Sequence, residues 1–571
     1  MSSAGGKVAT GSALLADLIA AYQHQTISTR RYLLIAILPA TIFFLVTAVL
    51  AFYASFPLIV RVMLPMLGVL LLAAAIGYPK IERDQRRVDL ENNFHLGVTH
   101  MTVLAVTNID RMEVLRTVAL EDEHGEFAKE LRRVVELVDG WNQSLDDAFR
   151  RRAKAVPSEP VADFFERMAY TLNAGQSIES FLLQEQSVML EKYQTVYEST
   201  LDNLEVLKDI YLSMILSMTF ALVFAVVLPI LTGTNPTLTV AIVLVMFFFV
   251  QLAFAWLIKA MVPYDPIWFL PSEVKSSAET RLRYSLIVGA GLSLLLLIIG
   301  SYSFITGLNL PISIPLPVYI ALPLTPLLIP GIIFYTEEQR IKRRDQEFPS
   351  FIRALGSVES AKQSTTLEVL RTLRHKDFGP LTGDINNLYK RLNMRINSDL
   401  AWHLFATDAN SYLIQKFSEM YLHARKMGGR PAQLGDLIGK NMNVVNQLRE
   451  RRRQSTITLT GVLYGITAAA TFAFFIGLEI VVLLEGMDIN MDAQGGMSFD
   501  ELIHTESYNV AMIELMLYGV ILFNGLISAM LIRTADGGHQ ANAYIHFVTL
   551  VWLACITAIV TTRLVGSFLS V

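Results

Sequence analysis

The stretch YSLIVGAGLSLLLLIIGSYSFI, residues 284–305, runs for 22 positions without a charged side chain. A helix needs about 20 predominantly apolar residues to cross the hydrocarbon core of a bilayer, so this stretch predicts a membrane-spanning helix. Comparable apolar runs occur elsewhere in the chain, at residues 32–52, 57–77, 210–231, 238–262, 315–335, 456–485, 509–532 and 544–568. The sequence therefore predicts an all-α polytopic membrane protein with about nine transmembrane helices.

The composition excludes a single soluble globular protein. Hydrophobic residues make up 53% of the 571 residues and charged residues only 17%, whereas soluble proteins carry about 25% charged residues. The formal net charge of -4 gives no indication of a nucleic-acid partner. Cys555 is the single cysteine of the sequence, which excludes an internal disulfide framework.

The distribution of lysine and arginine predicts how the spans are oriented, because these residues favour the cytoplasmic side of a membrane. Arg30 and Arg31 precede the first span. The second span is followed by Lys80, Arg83, Arg86 and Arg87, and the loop between the fourth and fifth spans contains or adjoins Lys259, Lys275, Arg281 and Arg283. The alternate loops carry none, at residues 53–56, 232–237, 306–314 and 486–508. We therefore expect a cytoplasmic N-terminus and a C-terminus outside the cell.

Two polar segments interrupt the spans, and their sequences resemble each other. Met112-Glu-Val-Leu-Arg-Thr-Val118 matches Leu367-Glu-Val-Leu-Arg-Thr-Leu373 at an offset of 255 positions. Asn173-Ala-Gly-Gln-Ser177 corresponds to Lys426-Met-Gly-Gly-Arg-Pro431 at nearly the same offset. Two matches at one spacing predict an internal duplication.

These patterns divide the chain into six parts. We predict a cytoplasmic N-terminal segment at 1–31, spans one and two at 32–77, a first cytoplasmic helical domain at 78–209, spans three to six at 210–335, a second cytoplasmic helical domain at 336–455, and spans seven to nine at 456–571. The two domains are expected to be homologous helical bundles.

Each domain is expected to end in a helix that continues into the membrane. Ser177 fits the N-cap of such a helix in the first domain, and Pro431 fits the first turn in the second. The helices would run from about 178 into the third span and from about 432 into the seventh. A helix of this kind would transmit motion from a cytoplasmic domain to the bilayer; a purely structural continuous helix is the alternative.

The two domains carry opposite net charges. Residues 79–209 contain 16 Lys and Arg against 25 Asp and Glu, a net charge of -9, while residues 337–453 contain 21 against 13, a net charge of +8. Fields of this size steer association and select partners. Either the domains attract each other, within one chain or across a dimer, or the basic domain receives an acidic soluble protein, or the charges are solvated helix faces without a partner.

Basic residues of the second domain that lie far along the chain from a span form the candidate docking set: Arg371, Arg374, Lys376, Lys390, Arg391, Arg395, Arg425, Lys426 and Arg430. Two further basic clusters adjoin spans, at residues 340–344 and 449–453. Anchoring at anionic lipid headgroups is a sufficient explanation for those two.

Charged residues within the predicted spans suggest a second candidate site near the outer leaflet. Arg61, Glu479, Glu514 and Arg563 each lie about four to six residues inside the outer end of a span, or about 6–9 Å. Two acids and two bases at similar depth predict ion pairs between helices; alternatively the bases reach the interface and the acids face water. None lies at the midplane, where a transporter would need its ionisable groups.

The sixth predicted span and the residues before it are rich in proline, with Pro311, Pro315, Pro317, Pro323, Pro326 and Pro330. Each interior proline removes a backbone hydrogen bond, so this span is expected to be bent or broken. A gate or hinge is the functional interpretation, and simple tolerance of proline by neighbouring helices is the other.

Motifs for catalysis, cofactors and metals are missing from the sequence. It contains no GxxxxGK[ST] loop, no HExxH spacing and no GxSxG elbow. We expect no enzyme activity, no cofactor and no metal site.

Several longer motifs resemble one protein family. They are Asn93-Phe-His-Leu-Gly-Val-Thr-His-Met-Thr-Val-Leu104, Thr107-Asn-Ile-Asp-Arg-Met-Glu-Val-Leu115, Trp141-Asn-Gln-Ser-Leu-Asp-Asp147 and Leu228-Pro-Ile-Leu-Thr-Gly-Thr-Asn-Pro236. With the tandem helical domains, they resemble the archaellum J family (FlaJ or ArlJ) of the type II secretion F and TadC superfamily.

The resemblance implies an integral, dimeric platform at the base of a rotating archaeal filament. A cytoplasmic hexameric ATPase would dock beneath the platform, and archaellin subunits would join the filament above it. The platform of an adhesive archaeal type IV pilus or of a secretion system is the alternative, and a polytopic transporter is a remote one.

Overall fold

The computed structural model describes residues 32, 36–53, 58–107, 109–263, 265–269, 277–306, 315–487 and 509–569. Within these ranges the regular structure is helical, apart from one isolated antiparallel bridge between Trp268 and Ser411. The predicted all-α class is therefore confirmed. The predicted N-terminal segment 1–31 lies outside the described residues.

Seven helices in the described ranges are long and apolar enough to cross a membrane: Ile178–Val227, Pro236–Met261, Glu279–Tyr302, Leu316–Lys362, Pro431–Leu483, Val510–Asp536 and Gln540–Ser567. They coincide with predicted spans three to nine. A shorter apolar helix, Leu38–Val49, lies at the first predicted span. The second falls on a helix whose side chains at 58–67 are outside the described set, so the total of nine stays a prediction.

The contacts divide the chain into two compact units, Met1–Met189 and Leu190–Val571. The first unit contains α1 (Leu38–Tyr53), α2 (Leu58–Ala105), α3 (Arg111–Leu120), α4 (Gly125–Asp139), α5 (Leu145–Ala153), α6 (Glu159–Asn173) and the first turns of α7 (Ile178–Val227). Its core is aromatic, with the side chains of Phe127, Phe149, Phe164 and Phe165 fully buried. Side-chain caps fix the short helices, since Asp110 accepts from the Met112 amide at 3.1 Å.

The second unit contains the rest of α7 and twelve further helices. They are α8 (Pro229–Thr232), α9 (Pro236–Met261), α10 (Ser277–Thr306), α11 (Leu316–Ala321), α12 (Leu328–Lys362), α13 (Thr366–Leu373), α14 (Thr382–Asn393), α15 (Ser398–Ala409), α16 (Tyr412–Lys426), α17 (Pro431–Met487), α18 (Val510–Asp536) and α19 (Ala543–Leu569). An apolar core joins the spans, and it includes Leu222, Phe247, Phe475 and Leu517.

The proline-rich span is broken as predicted. Its helix α11 ends at Ala321, a 3-10 segment follows at Leu322–Leu327, and α12 begins at Leu328. Pro323 and Pro326 lie within the 3-10 segment, where the amide that proline lacks would otherwise have continued an α-helical ladder.

The order of helices repeats along the chain. Helices α3, α4, α5 and α6 precede the long helix α7, and helices α13, α14, α15 and α16 precede the long helix α17. We call α3–α6 the first module and α13–α16 the second module. The turns agree as well, because Gly175 and Gly428 both adopt positive φ, at 74° and 86°. This correspondence supports the duplication inferred from sequence.

Candidate functional site

Arg449 on α17 lies at the centre of a buried ion-pair network. Its guanidinium donates to Asp265 through Nη2, 2.6 Å from Oδ1, and through Nε, 2.8 Å from Oδ2. Its Nη1 donates to Oδ2 of Asp345 on α12 at 2.7 Å. The Ser411 hydroxyl, at the turn between α15 and α16, donates to the other oxygen of Asp345. One arginine thus connects α12, α17 and the segment that follows α9, with the bidentate geometry that makes such bonds strong.

The segment after α9 is also hydrogen-bonded to the second module through its backbone. The Phe269 amide donates to the Asn410 carbonyl at 2.9 Å, and the Tyr412 amide donates to the Ile267 carbonyl at 3.0 Å. These two bonds frame the bridge between Trp268 and Ser411. The turn of the second module therefore holds the residues that follow a span.

Arg452, one turn further along α17, caps the end of another span. It donates to the carbonyls of Thr534 and Ala535, at 3.0 and 2.6 Å, and to that of Pro263 at 3.2 Å. The last carbonyls of a helix have no intrahelical partner, and a cation there also meets the negative end of the helix dipole. Arg452 consequently ties α17 to the end of α18.

Glu338 on α12 connects this helix to the segment after α9 and to the turn between α18 and α19. Its carboxylate accepts from the Trp268 indole at 3.1 Å, the His539 amide at 2.8 Å and the Asn542 side chain at 2.8 Å. Lys342 pairs with it at 3.2 Å. We call the contacts of Asp265, Glu338, Asp345, Arg449 and Arg452 the joint, because they connect the second module to five spans or to the residues that adjoin them.

The sequence-based interpretation of the basic clusters beside the spans needs correction. Lipid anchoring is a sufficient account for a solvent-facing arginine, but Arg449 and Arg452 are buried, with side-chain exposure of 10% for Arg449 and residue exposure of 3% for Arg452. Arg451 pairs with Glu198, and Arg453 pairs with Glu450 at 3.2 Å. The internal role was missed because the partner of Arg449, Asp265, lies 184 positions away.

The predicted docking residues fall into two groups. Four have partners within the protein: Arg391 pairs with Asp408 at 2.8 Å, Arg425 with Glu359 at 3.1 Å, Lys426 with Asp399, and the Arg374 guanidinium lies 4.5 Å from the Tyr389 ring centre. The other five are exposed: Arg371, Lys376, Lys390, Arg395 and Arg430. Of these, the Lys376 ammonium lies 5.4 Å from the ring centre of Phe378.

Arg425 is half-buried and connects the second module to a buried carboxylate on α12. Its partner Glu359 is buried, and that carboxylate also accepts from the Tyr421 hydroxyl at 2.7 Å and from Thr366. Burial, reinforced by the Glu359 charge, raises the pKa of Tyr421. Reversing the charge of Arg425 would therefore leave a buried carboxylate without its counter-ion, which is a structural lesion.

Two contacts show how the exposed residues are grouped. The ion pair between Lys426 and Asp399 places the end of α16 beside the start of α15. The Arg374 contact with Tyr389 places the end of α13 beside the last turn of α14. Arg371, Lys390, Arg395 and Arg430 therefore lie near these helix ends, and we call these four residues the basic patch.

Asp384 shows how strongly the second module desolvates its own charges. Burial raises the pKa of this carboxyl to about 6, although Arg344, 3.0 Å away, opposes the shift. This acid is therefore enclosed by protein, while Glu368, Asp377 and the basic patch are exposed.

The predicted outer-leaflet ion pairs are placed as follows. Glu479 and Glu514 are half-buried on α17 and α18, and Glu514 accepts from Tyr518 at 3.1 Å. Arg563 is exposed on α19, and the side chain of Arg61 lies outside the described residues. Among the side chains that the structure describes, no ion pair joins either acid to Arg563. These pairs stay a prediction.

The described part of the chain contains no group of three His, Cys, Asp or Glu side chains arranged to hold a metal ion. Its polar residues form hydrogen bonds and ion pairs that connect the Ser411 turn of the second module, through the joint, to the ends of spans.

Comparison with known proteins gives consistent matches. Residues 98–227 match the family model described as type II secretion system protein F. A flagella accessory protein J from Methanococcus voltae is 34% identical over 543 residues, which cover 94% of this chain and 96% of that protein. A flagella accessory protein J from Methanocaldococcus jannaschii is also 34% identical, over 549 residues, 95% of this chain and 96% of its own. No solved structure matches the chain.

Proposed function

The chain belongs to the family of flagella accessory protein J, as the sequence motifs predict, and from this premise we propose that it couples a cytoplasmic motor ATPase to a filament. It is a multi-pass membrane protein and a platform of a type IV pilus-like flagellar system. The proposal adds the partners: a hexameric ATPase on the cytoplasmic side, archaellin subunits in the filament, and a second copy of the platform in a homodimer. The proposal also includes the orientation predicted from the loop charges, with the N-terminus in the cytoplasm and the C-terminus outside the cell.

The observation that carries the proposal is the joint. A protein bound to the basic patch would displace the second module, and the turn at Ser411 is hydrogen-bonded to the segment that follows α9. Arg449 and Arg452 would pass the same displacement to α12, α17 and α18. Because these contacts are buried and charge-assisted, the module and the span ends should move together.

The basic patch is the proposed docking surface for the ATPase. Its four cations are exposed, and an excess of one charge sign steers and orients a partner of the other sign. The proposed set is smaller than the sequence suggested, since Arg374, Arg391, Arg425 and Lys426 have partners within the module.

The test is binding of the purified ATPase to the detergent-solubilised chain. Replacing Arg371, Lys390, Arg395 and Arg430 by Glu should weaken binding about tenfold or more at about 0.15 M salt, where surface charges still act. A matched variant carries four reversals in the first unit, Arg111→Glu, Arg150→Glu, Arg151→Glu and Lys154→Glu, all at exposed positions. Equal binding by both variants and the unmodified chain would remove the electrostatic part of the proposal.

The platform of an adhesive archaeal pilus is the alternative within the same class. Deletion of the gene separates the two, since loss of swimming with retained surface adhesion supports the archaellum and the reverse result supports the pilus. Solute uptake by vesicles containing the purified chain would instead favour the remote transporter alternative.

A further inference from the structure

A hydrogen-bonded turn exposes a large apolar side chain between two residues of the basic patch, Lys390 and Arg395. Met394, between α14 and α15, is 66% exposed. Two backbone hydrogen bonds fix the turn. The Ile396 amide donates to the Arg391 carbonyl at 3.1 Å, and the Arg395 amide donates to the Leu392 carbonyl at 3.0 Å. Asn397 caps α15 by accepting from the Asp399 amide at 2.9 Å. Met394 is thus held in solvent by a structured turn, which lowers the entropy cost of binding through it.

The surroundings of Met394 are cationic. Lys390 and Arg395 flank it in sequence and are exposed, and Arg430 follows the end of α16. The nearby acid, Asp399, is neutralised by Lys426. An apolar centre with a charged rim is the usual plan of a protein interface, in which a few central residues supply most of the binding energy.

The first module has a similar turn at the corresponding place. Trp141 lies between α4 and α5, precedes Met394 by 253 positions and is 75% exposed. The next residue adopts positive φ in both copies, Asn142 at 52° and Arg395 at 59°. The Gln143 amide donates to the Leu137 carbonyl, six residues back, at 3.2 Å, and the Ile396 amide donates to the Arg391 carbonyl, five residues back, at 3.1 Å. An exposed apolar residue therefore lies in this turn in both modules, a tryptophan in the first and a methionine in the second.

The rim of the first turn differs in charge from that of the second. Glu136, Asp139 and Asp147 are exposed near Trp141 in the sequence; Asp139 pairs with Arg116 at 2.9 Å and Asp147 with Arg150 at 3.7 Å, while Glu136 adds a negative charge. Lys390 and Arg395 instead place two exposed cations beside Met394. This difference makes the second module the one suited to an acidic partner surface.

We infer that Met394 is the apolar anchor of the contact with the cytoplasmic ATPase, and that the partner offers an apolar pocket rimmed by carboxylates. The inference rests on the proposed function and adds the central residue and the chemistry of the surface it meets. The flexible, polarisable thioether of methionine adapts to such pockets.

The experiment measures affinity of the full-length chain for the ATPase, at about 0.15 M and about 1 M salt. Met394→Ala should weaken binding about tenfold, and Met394→Leu should stay within about threefold of the unmodified chain. The loss from Met394→Ala should persist at 1 M salt, because apolar contacts are not screened, while the loss from reversing the basic patch should fade. Trp141→Ala is the matched control and should bind as the unmodified chain does.

Each contrary outcome has a distinct meaning. Unchanged affinity of Met394→Ala, together with weakened binding after reversal of the basic patch, would overturn the anchor and leave the proposed function standing. A loss with Trp141→Ala alone would place the contact on the first module and overturn the inference. Absence of ATPase binding by the unmodified chain would reject the proposed function and, with it, the anchor.

Discussion

At the scale of single residues, the joint depends on one buried arginine with two carboxylate partners. The two partners lie on different segments of the chain, and Arg449 donates to both Asp265 and Asp345. Truncating one member of a buried pair leaves the other charges uncompensated, which costs more than the pair itself contributes. Lysine would keep the charge but lose the fork that contacts two carboxylates at once.

We therefore predict that Arg449→Ala lowers the free energy of unfolding by about 3–5 kcal/mol, and that Arg449→Lys recovers only part of it. Thermal unfolding of the purified chain in detergent measures the change. Arg453→Ala is the control, since this exposed arginine pairs with a half-exposed neighbour one turn away, Glu450, and surface pairs contribute about 0–1 kcal/mol. Equal stability of the two alanine variants would contradict the central role of Arg449.

For single residues, the sequence predicted local roles such as helix caps better than it predicted which residues pair in the fold. It identified Ser177 as an N-cap, and the Ser180 amide donates to the Ser177 hydroxyl at 3.2 Å. Such a cap is a local pattern. The docking set could not be divided correctly, because the acids that neutralise Arg391 and Lys426 lie on other helices, and only the fold determines which of them face each other.

At the scale of elements, the close crossing of α12 and α17 supports the joint. A Cβ atom at Gly435 would lie 2.6 Å from the carbonyl oxygen of Ile352, and one at Gly356 would collide with the carbonyl of Pro431. Backbone this close leaves no room for a side chain, so both glycines are required by packing even though glycine weakens a helix.

Gly356→Ala and Gly435→Ala should each destabilise the chain by about 1–3 kcal/mol, the typical cost of overpacking, despite a helix-propensity gain of about 1 kcal/mol. Gly461→Ala, in the same helix α17 but with open space around its Cβ position, should be neutral or slightly stabilising. The midpoint of thermal unfolding checks all three. A neutral Gly356→Ala would show that the two helices separate easily.

The elements themselves were largely predictable from sequence. Apolar length located the spans from residue 210 onward, and proline content predicted the break before α12. The β-bridge at Trp268 was not predictable, because it pairs two short loops that no periodic pattern marks.

At the scale of the whole molecule, the proposed mechanism requires both modules on the cytoplasmic side. The sequence supports this through loop charge, and the chain offers a clean way to test it. Cys555 is its single cysteine and is buried. Introduced surface cysteines would therefore report their own accessibility without background from the native thiol.

Trp141→Cys and Lys390→Cys should both resist an impermeant maleimide added to intact cells and react after the membrane is opened, since each site is exposed on its module. Labelling is read by mass shift on a gel, with the unmodified chain as the blank. Reaction of either cysteine in intact cells would place that module outside the cell and reject the proposal that both modules face the cytoplasmic ATPase.

The segment after α9 is fixed at nearly every second residue. Arg452 binds the Pro263 carbonyl, Arg449 binds Asp265, and the second module binds Ile267 and Phe269 through the backbone. A segment held at such short intervals cannot extend before it transmits a displacement of the second module to α9. Each stroke delivered to the module would then reach the bilayer without delay, and the stroke length of the motor would set the travel of the span.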